Sequence, residues 1–421
     1  MDAAAAERIL SSHKLEVAWP NEPLLGGYYG EEEMEVINKT IRDSFDPTRG
    51  FGFICKEIED FEAALAEYSG TNDCVTVNGA GTGLDMTLMC LDLRPEDEVI
   101  VPSINFKAAL LAVIGQKAKL VVCEADPHTL CADVADVAKK LTPRTRAIMV
   151  THMNGFSAPM DEYQAIAAAN PHPEFGPAKV IGDVARCMGG MYQGKRNTAG
   201  VWMSVLSFHT QKLMTTLGEG GAVTVDDPDL AIRLRSLRQF GWSDGKWGSN
   251  YKLTKIQAAV GMVQLRKLDQ MIAERRAVAT ARNEMLADIP ELTLPYEPDT
   301  VKHTYYLYTL LVPEAWAGAK RDQLMRILWD DYEVSSVVAN PPCHTTIPFI
   351  GEHTQGQELP ASEQLAKRLF CIPIHPCMSH NDNEYICAAV SKAVERIRSG
   401  DTTYLEAGEA DATKAITGRA G

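Results

Sequence analysis

AIMVTHMNGFSAPMDEYQAIAAANPHPEFGPAKVIGD, residues 147–183, decides the fold. AIMVTHM (147–153) reads as an apolar strand, MDEYQAIAAAN as a helix, and KVIGD (179–183) as a second strand. Two short apolar runs separated by a helical stretch predict parallel strands joined by a crossover helix. The same rhythm runs back toward the N-terminus. CVTV (74–77) is followed by the helical GLDMTLMCLDL, EVIVPS (98–103) by FKAALLAVIGQ, and AKLVVCEA (118–125) by VADVAKKL. Such β/α alternation implies an α/β fold, a mostly parallel sheet with helices on both faces.

Further along, the rhythm changes. VWMSVLSF (201–208) and GAVTV (221–225) read as two more strands, joined by a loop containing lysine and glycine. A long helical stretch covers 255–286. An α+β pattern follows: HTYYLYTLLVP as a strand, RDQLMRILWDDY as a helix, then QLAKRLFCIPI, and NDNEYICAAVSKAVERIRS as a last helix. At the other end, KEIEDFEAALAEYSG reads as a helix stopping at Gly70. The first 50 residues read as irregular, with AWPNEP and DPTRGFGF marking turns. The expected organisation is an N-terminal arm (1–54), a large α/β domain (55–274), a smaller C-terminal α+β domain (275–400) and a fraying tail (401–421).

Composition excludes several classes. The 421 residues carry 41 Lys plus Arg against 56 Asp plus Glu, a net charge of −15. That balance argues against a nucleic-acid partner, since duplex binding rests on basic residues neutralising phosphates. No apolar run approaches a membrane span, and MDAAAAERILSSHK lacks the pattern of a secretion signal. A cytoplasmic protein is expected. The ten cysteines form no CxxC pair, and several lie in apolar segments, so neither a disulfide framework nor a zinc site is expected. The ten histidines are scattered, and no metal is expected.

Three positions fall at strand ends, where open α/β sheets place ligands. NGAGTG (78–83) lies between a strand and a helix. Its glycines let a backbone approach closely, and free amides at a helix start suit an anion such as phosphate; a plain tight turn reads the same way. Asp183 ends KVIGD. A carboxylate there needs a partner, and it serves either as a helix cap or as counter-ion to a protonated ring nitrogen. Lys212 follows an apolar strand and precedes a glycine-rich turn. Most lysines are solvated, but this one is placed to project into a pocket, where desolvation makes an amine a nucleophile. A phosphate cradle, an Asp and a Lys are together the parts that pyridoxal phosphate requires.

At this point the chain resembles a known family. DEVIVPS (97–103), LTPRTRAIMVTHMNGFSAPMDE (141–162), SFHTQKLMTTLGEGGAV (207–223) and GSNYKLTKIQAAVGMVQLRKLD (248–269) are similar to DegT-type aminotransferases, which aminate keto-sugars and keto-cyclitols with pyridoxal 5'-phosphate. The likeness runs from about residue 55 to 397. HTYYLYTLLVP and AWP are similar to members that act as glutamine:scyllo-inosose aminotransferases. The resemblance implies a fold-type-I transferase with a seven-stranded, mostly parallel sheet, working as a homodimer whose active site is shared across the interface. It also implies an amino-acid donor, glutamine or glutamate, and a keto-sugar or keto-cyclitol acceptor in aminosugar or antibiotic-type biosynthesis.

By position, the resemblance assigns Lys212 as the Schiff-base lysine, Asp183 as the pyridinium partner, Ser207 as a phosphate ligand and Phe106 as the ring-stacking aromatic. Read without it, Phe106 is a core residue starting a helix. The family's Ser-Gly-Thr turn reads Gly79-Ala80-Gly81 here, which assigns Ala80, Gly81 and Thr82 to the phosphate with the motif's hydroxyls displaced or lost. Asn250 matches an asparagine that reaches the neighbouring subunit's cofactor phosphate. Two positions depart from the pattern. Arg186 stands where Gln or His is usual, near the cofactor's ring hydroxyl; an arginine there suits a carboxylate or turns away into a surface pair. Lys252 stands where arginine is frequent. His209 reads as structural or as an acid–base group, and His303 and His344 as candidates for substrate hydroxyls. Two rival functions are a sugar dehydratase of the same family, which carries histidine at the lysine position, and a non-catalytic binding protein on this scaffold.

Overall fold

The chain's structure is a computed structural model that describes Met1 and residues 3–405. It opens with helices α1 (Ala3–Ser12), α2 (Glu31–Asp43) and α3 (Lys56–Ser69). The alternating region follows: β1 (Asp73–Val77), α4 (Ala80–Met89), β2 (Glu98–Pro102), α5 (Lys107–Gly115), β3 (Lys119–Cys123), α6 (Val134–Lys140), β4 (Thr145–Thr151), α7 (Met160–Ala169) and β5 (Lys179–Asp183). Next come the two-residue strands β6 (Met191–Tyr192) and β7 (Lys195–Arg196), then β8 (Met203–Ser207), β9 (Gly221–Val225), α8 (Pro228–Arg238) and the long α9 (Lys255–Leu286). The C-terminal part holds β10 (Val301–Lys302), β11 (Tyr308–Leu311), α10 (Ala319–Tyr332), α11 (Cys343–Thr346), α12 (Pro348–His353), α13 (Pro360–Ala366), β12 (Leu369–Ile372) and α14 (His380–Arg398).

Seven strands form the central sheet in the order β1-β9-β8-β5-β4-β2-β3. Pairing is parallel from β8 through β3, and only β9 runs against its neighbours. Strand residues alternate between two buried faces. Val99, Val101, Ala147, Met149, Ile181 and Val205 pack under α4, α5 and α8. Ile100, Ile148, Val150 and Val180 face α6 and α7, while Leu206 and Ala222 face α3 and the first half of α9. Both faces are covered, which is why these strands read as continuous apolar runs. Residues from the last turns of α9 join β11, β12, α10 and α14 in a separate apolar cluster.

Local sequence accounts for the boundaries. Gly70 ends α3 in the left-handed conformation, φ 67°, and its amide reaches back to the Ala66 and Glu67 carbonyls. Thr254 opens α9 with a capping box to Gln257.

Two expectations need correction. The first 50 residues are irregular only in part: AWPNEP and DPTRGFGF lie in bends and turns, but α1 packs on α14 and α2 on α9. EEEMEVINKTIRD is strongly polar, but its three leading glutamates favour a helix start, and buried Glu33 pairs with Lys267 at 2.9 Å. Only Tyr308–Leu311 of HTYYLYTLLVP is strand; His303–Leu307 turns instead, with Tyr305 at φ 48°. The tail expected to fray lies outside the described residues from 406 onward. No helix among the described residues is long and apolar enough to cross a membrane. All ten cysteines are free.

Candidate active site

The site sits at the carboxyl edge of the parallel strands, where α/β sheets leave loops free to carry chemistry. β5 delivers Asp183 and its neighbour β8 delivers Ser207, with Lys212 in the loop that follows. Asp183 is buried and accepts a hydrogen bond from the Ala185 amide at 3.0 Å. Burial raises its pKa above the ordinary carboxylate value, opposed by the Ala185 amide and the nearby cations Lys212 and Arg186. No cation among the described residues comes within ion-pair distance of it. It is a buried carboxyl group lacking a bonded counter-ion.

Lys212 Nζ donates to the Tyr306 hydroxyl at 3.3 Å and lies 4.7 Å from that ring's centre. The Arg186 guanidinium shares the same ring at 5.3 Å. Arg186 is buried, and its two terminal nitrogens donate to Asn154 Oδ1 at 3.1 Å and Asn340 Oδ1 at 2.7 Å. Both asparagines have positive φ, 52° and 59°, a conformation Asn tolerates better than most residues. The surface-pair reading of Arg186 is therefore wrong. The side chain points inward, held by neutral amides that leave its charge available to an anion.

A second cluster forms at the start of α4. Ser207 is paired with Gly221, and a Cβ on Gly221 would lie 2.7 Å from the Ala80 nitrogen. Ser207, Ala80, Gly81 and Thr82 thus converge on one helix N-terminus. A Cβ on Gly81 would meet open space, so the start of the helix is open to a ligand. Among the described residues Ser207 Oγ has only a long 3.4 Å contact, from the His209 amide. Phe106, at the N-terminus of α5, is 54% exposed and is not a core residue.

The other candidates are dispersed. Asn250 is exposed; its Oδ1 accepts from Lys252 Nζ at 2.6 Å, while the adjacent Tyr251 carbonyl caps the Asn78 amide beside the cradle. His209 lies on the lysine loop, 3.9 Å from Glu219. His303 is buried, its pKa lowered to about 4 by desolvation, and its Nδ1 accepts from the Tyr305 amide. His344 is tied through both ring nitrogens, to Ser103 at 2.6 Å and Glu363 at 3.3 Å. Tyr306, Asn154 and Asn340 were not singled out in the sequence. The only available signal was the unusual aromatic density of HTYYLY. Among the described residues no group of three or more His, Cys, Asp or Glu is placed to hold a metal ion.

Residues 31–391 match the model of the DegT/DnrJ/EryC1/StrS aminotransferase family. The chain is 31% identical to the GDP-perosamine synthase of Caulobacter vibrioides, over 80% of this chain and 90% of that protein. It is 32% identical to a dTDP-3-amino-3,4,6-trideoxy-alpha-D-glucose transaminase of Streptomyces venezuelae, over 81% and 88%. Its structure is similar to that of S. venezuelae DesV in complex with a ketimine intermediate, with a TM-score of 0.79 and 31% identity, covering 87% of this chain and 95% of that one.

Proposed function

We propose a function from one premise: the chain belongs to the DegT/DnrJ/EryC1/StrS aminotransferase family and is a pyridoxal-phosphate-dependent transaminase. It moves an amino group from a small amino-acid donor, glutamine or glutamate, to the carbonyl of a keto-sugar or keto-cyclitol. The observation that carries this reading is the meeting of Lys212, Asp183 and Arg186 at one buried edge, with an anion cradle beside them. Lysine at position 212 also sets the reading apart from the family's dehydratases.

The residues suit the cofactor. Buried Asp183 lacks a bonded cation, which a protonated ring nitrogen would provide. The α4 N-terminus and Ser207 offer donors to a phosphate, and Phe106 offers a flat apolar face to a ring. When bound, pyridoxal phosphate supplies an aldehyde that carries the amino group and a ring that draws electrons from the substrate's amino carbon. Lys212 acts as base, then acid, at that carbon. Tyr306 fixes the lysine amine through its hydroxyl. Asp183 holds the ring cationic, because an opposite charge favours the charged form.

Arg186 is assigned to the donor's carboxylate. Arg186→Gln removes the planar fork, and the apparent constant for glutamine should rise by about tenfold or more, since bonds to charged groups are worth roughly 1.5–3 kcal/mol. Acceptor kinetics should change little. A shift in the pH profile of the bound cofactor's absorption instead would place Arg186 at the ring hydroxyl. No change in either would leave it only the task of holding Asn154 and Asn340.

The working unit is a homodimer. Phe45, Phe53, Phe240, Trp242 and Trp247 are all more than half exposed. Phe53 and Trp242 pack edge to face at 5.5 Å, and Lys252, beside Asn250, lies over Phe53 and Phe240. An aromatic surface of this extent suits a protein interface, and a second copy would set Asn250 against the partner's cradle. Mixing tests this. Lys212→Ala and Asn250→Ala, each impaired alone, are unfolded together and refolded. Random pairing makes roughly half the dimers mixed, each with one intact site, so roughly a quarter of wild-type activity should return. If Asn250 serves its own chain, activity stays at the average of the two variants.

A further inference from the structure

The N-terminal arm does more than cover the molecule, because residues 24–29 lie directly on the loop that carries Lys212. The Gly26 amide donates to the Thr210 carbonyl at 2.8 Å, and the Thr210 hydroxyl returns a bond to the Leu24 carbonyl at 2.8 Å. A Cβ at Gly26 would lie 2.1 Å from the Lys212 carbonyl oxygen and 2.3 Å from that of Gln211. These are backbone atoms, so nothing flexible can yield. Further along, the Leu217 amide donates to the Tyr29 hydroxyl at 3.1 Å, closing the far end of the loop.

The arm is held in turn by Arg275, in the middle of α9. Arg275 is fully buried and has no carboxylate partner among the described residues. Its guanidinium donates to the Gly26 carbonyl, to Tyr305 at 3.3 Å, to Tyr306 at 3.5 Å and to Ile374 at 3.1 Å. Burying a cation against neutral carbonyls is costly. Here one fork reaches both supports of the lysine: Gly26, pressed on its main chain, and Tyr306, whose hydroxyl holds its amine. A compact ammonium cannot span that set of carbonyls, whereas a planar guanidinium can.

We infer that Gly26 and Arg275 are positioning residues that clamp Lys212, fixing its main chain through the arm and its amine through Tyr306. The inference rests on Lys212 being the group that moves the proton. Three variants test it. Gly26→Ala drives a methyl into the Lys212 carbonyl. Gly27→Ala is the control, since its methyl presses only on the flexible Met271 sulfur at 2.8 Å and meets the lysine loop at the Leu213 carbonyl at 3.4 Å, an ordinary contact. Arg275→Lys keeps the buried charge and loses the span.

Gly26→Ala and Arg275→Lys should lower kcat by about 10–100-fold, the effect of misplacing a reacting group by about an ångström. kcat and kcat/KM should fall together, leaving the donor KM unchanged. The second readout needs no cofactor. In the cofactor-free protein, the Lys212 amine is trace-labelled with acetic anhydride at fixed pH and its peptide quantified by mass spectrometry. Losing the 3.3 Å bond to the Tyr306 hydroxyl frees the amine to react. Labelling should therefore rise by about threefold, the loss of one modest hydrogen bond. Gly27→Ala should match wild type in both measurements.

Gly26→Ala behaving like Gly27→Ala, or losing only thermal stability, would overturn the clamp. Should Gly26→Ala fail to fold, Arg275→Lys decides alone, and wild-type labelling together with wild-type kcat overturns the inference. A different result bears on the function instead: if Lys212→Ala keeps its turnover while labelling still shifts, the clamp stands and the assignment of the lysine falls.

Discussion

Lys212→Ala should lose transamination by about 10²–10⁴-fold, the range expected when a positioned acid–base group is removed. Cofactor should still bind, because the α4 cradle, Ser207 and Asp183 are untouched. The fold should also survive. Lys212 is half-buried and, among the described residues, its side chain's one hydrogen bond is the 3.3 Å contact to Tyr306, so stability should stay within about 0.5 kcal/mol of wild type. Single-turnover kinetics with excess cofactor checks the first claim and thermal melting the second. An added small primary amine should restore part of the rate, since it supplies the missing base at the same carbon. Near-normal turnover would remove Lys212 from the chemistry.

This variant also separates what the sequence discloses from what only the fold discloses. Asp183 and Lys212 were legible because one ends a short apolar run and the other closely follows one, and a charged group in that place needs a reason. The parallel sheet was legible because its strands are buried on both faces and read as unbroken apolar segments. Tyr306 was not. It lies 94 residues from Lys212 and sits in an aromatic run that reads as strand, yet the chain turns there to bring the hydroxyl over the lysine. Arg186 was visible as an oddity. Its burial depends on Asn154 and on Asn340, which comes from 154 residues further along the chain, and no local pattern encodes that meeting. The two N-terminal helices were missed for a different reason. α2 is so polar that its stability rests on contacts such as Glu33 with Lys267, 234 residues away, and tertiary contact overrides weak local signals.

Asp183→Asn should preserve the shape of the site and lose about 10²–10³-fold in rate, comparable to removing one fixed electrostatic group from a buried site. The amide cannot hold a ring nitrogen protonated, so the substrate's amino carbon loses its electron sink. Stability should move the opposite way. In the cofactor-free protein the folded pKa of Asp183 lies above the ordinary value because burial disfavours its charge. The stability this group contributes is present below the ordinary Asp pKa, about 3.9, and is lost as pH rises through the folded value. At neutral pH the carboxylate therefore costs stability that the amide does not, and cofactor-free Asp183→Asn should melt higher than cofactor-free wild type. The gap should close as pH falls toward 4. Adding pyridoxal phosphate should reverse the order, because a cationic ring nitrogen pairs with the carboxylate and not with the amide. Wild type should then gain more from the cofactor than the variant does, by mass action on the folded state. Melting curves with and without cofactor across pH, set beside single-turnover rates, check the whole chain of reasoning. If cofactor affinity drops while the single-turnover rate holds, Asp183 is an anchor and the electron sink is maintained by another group.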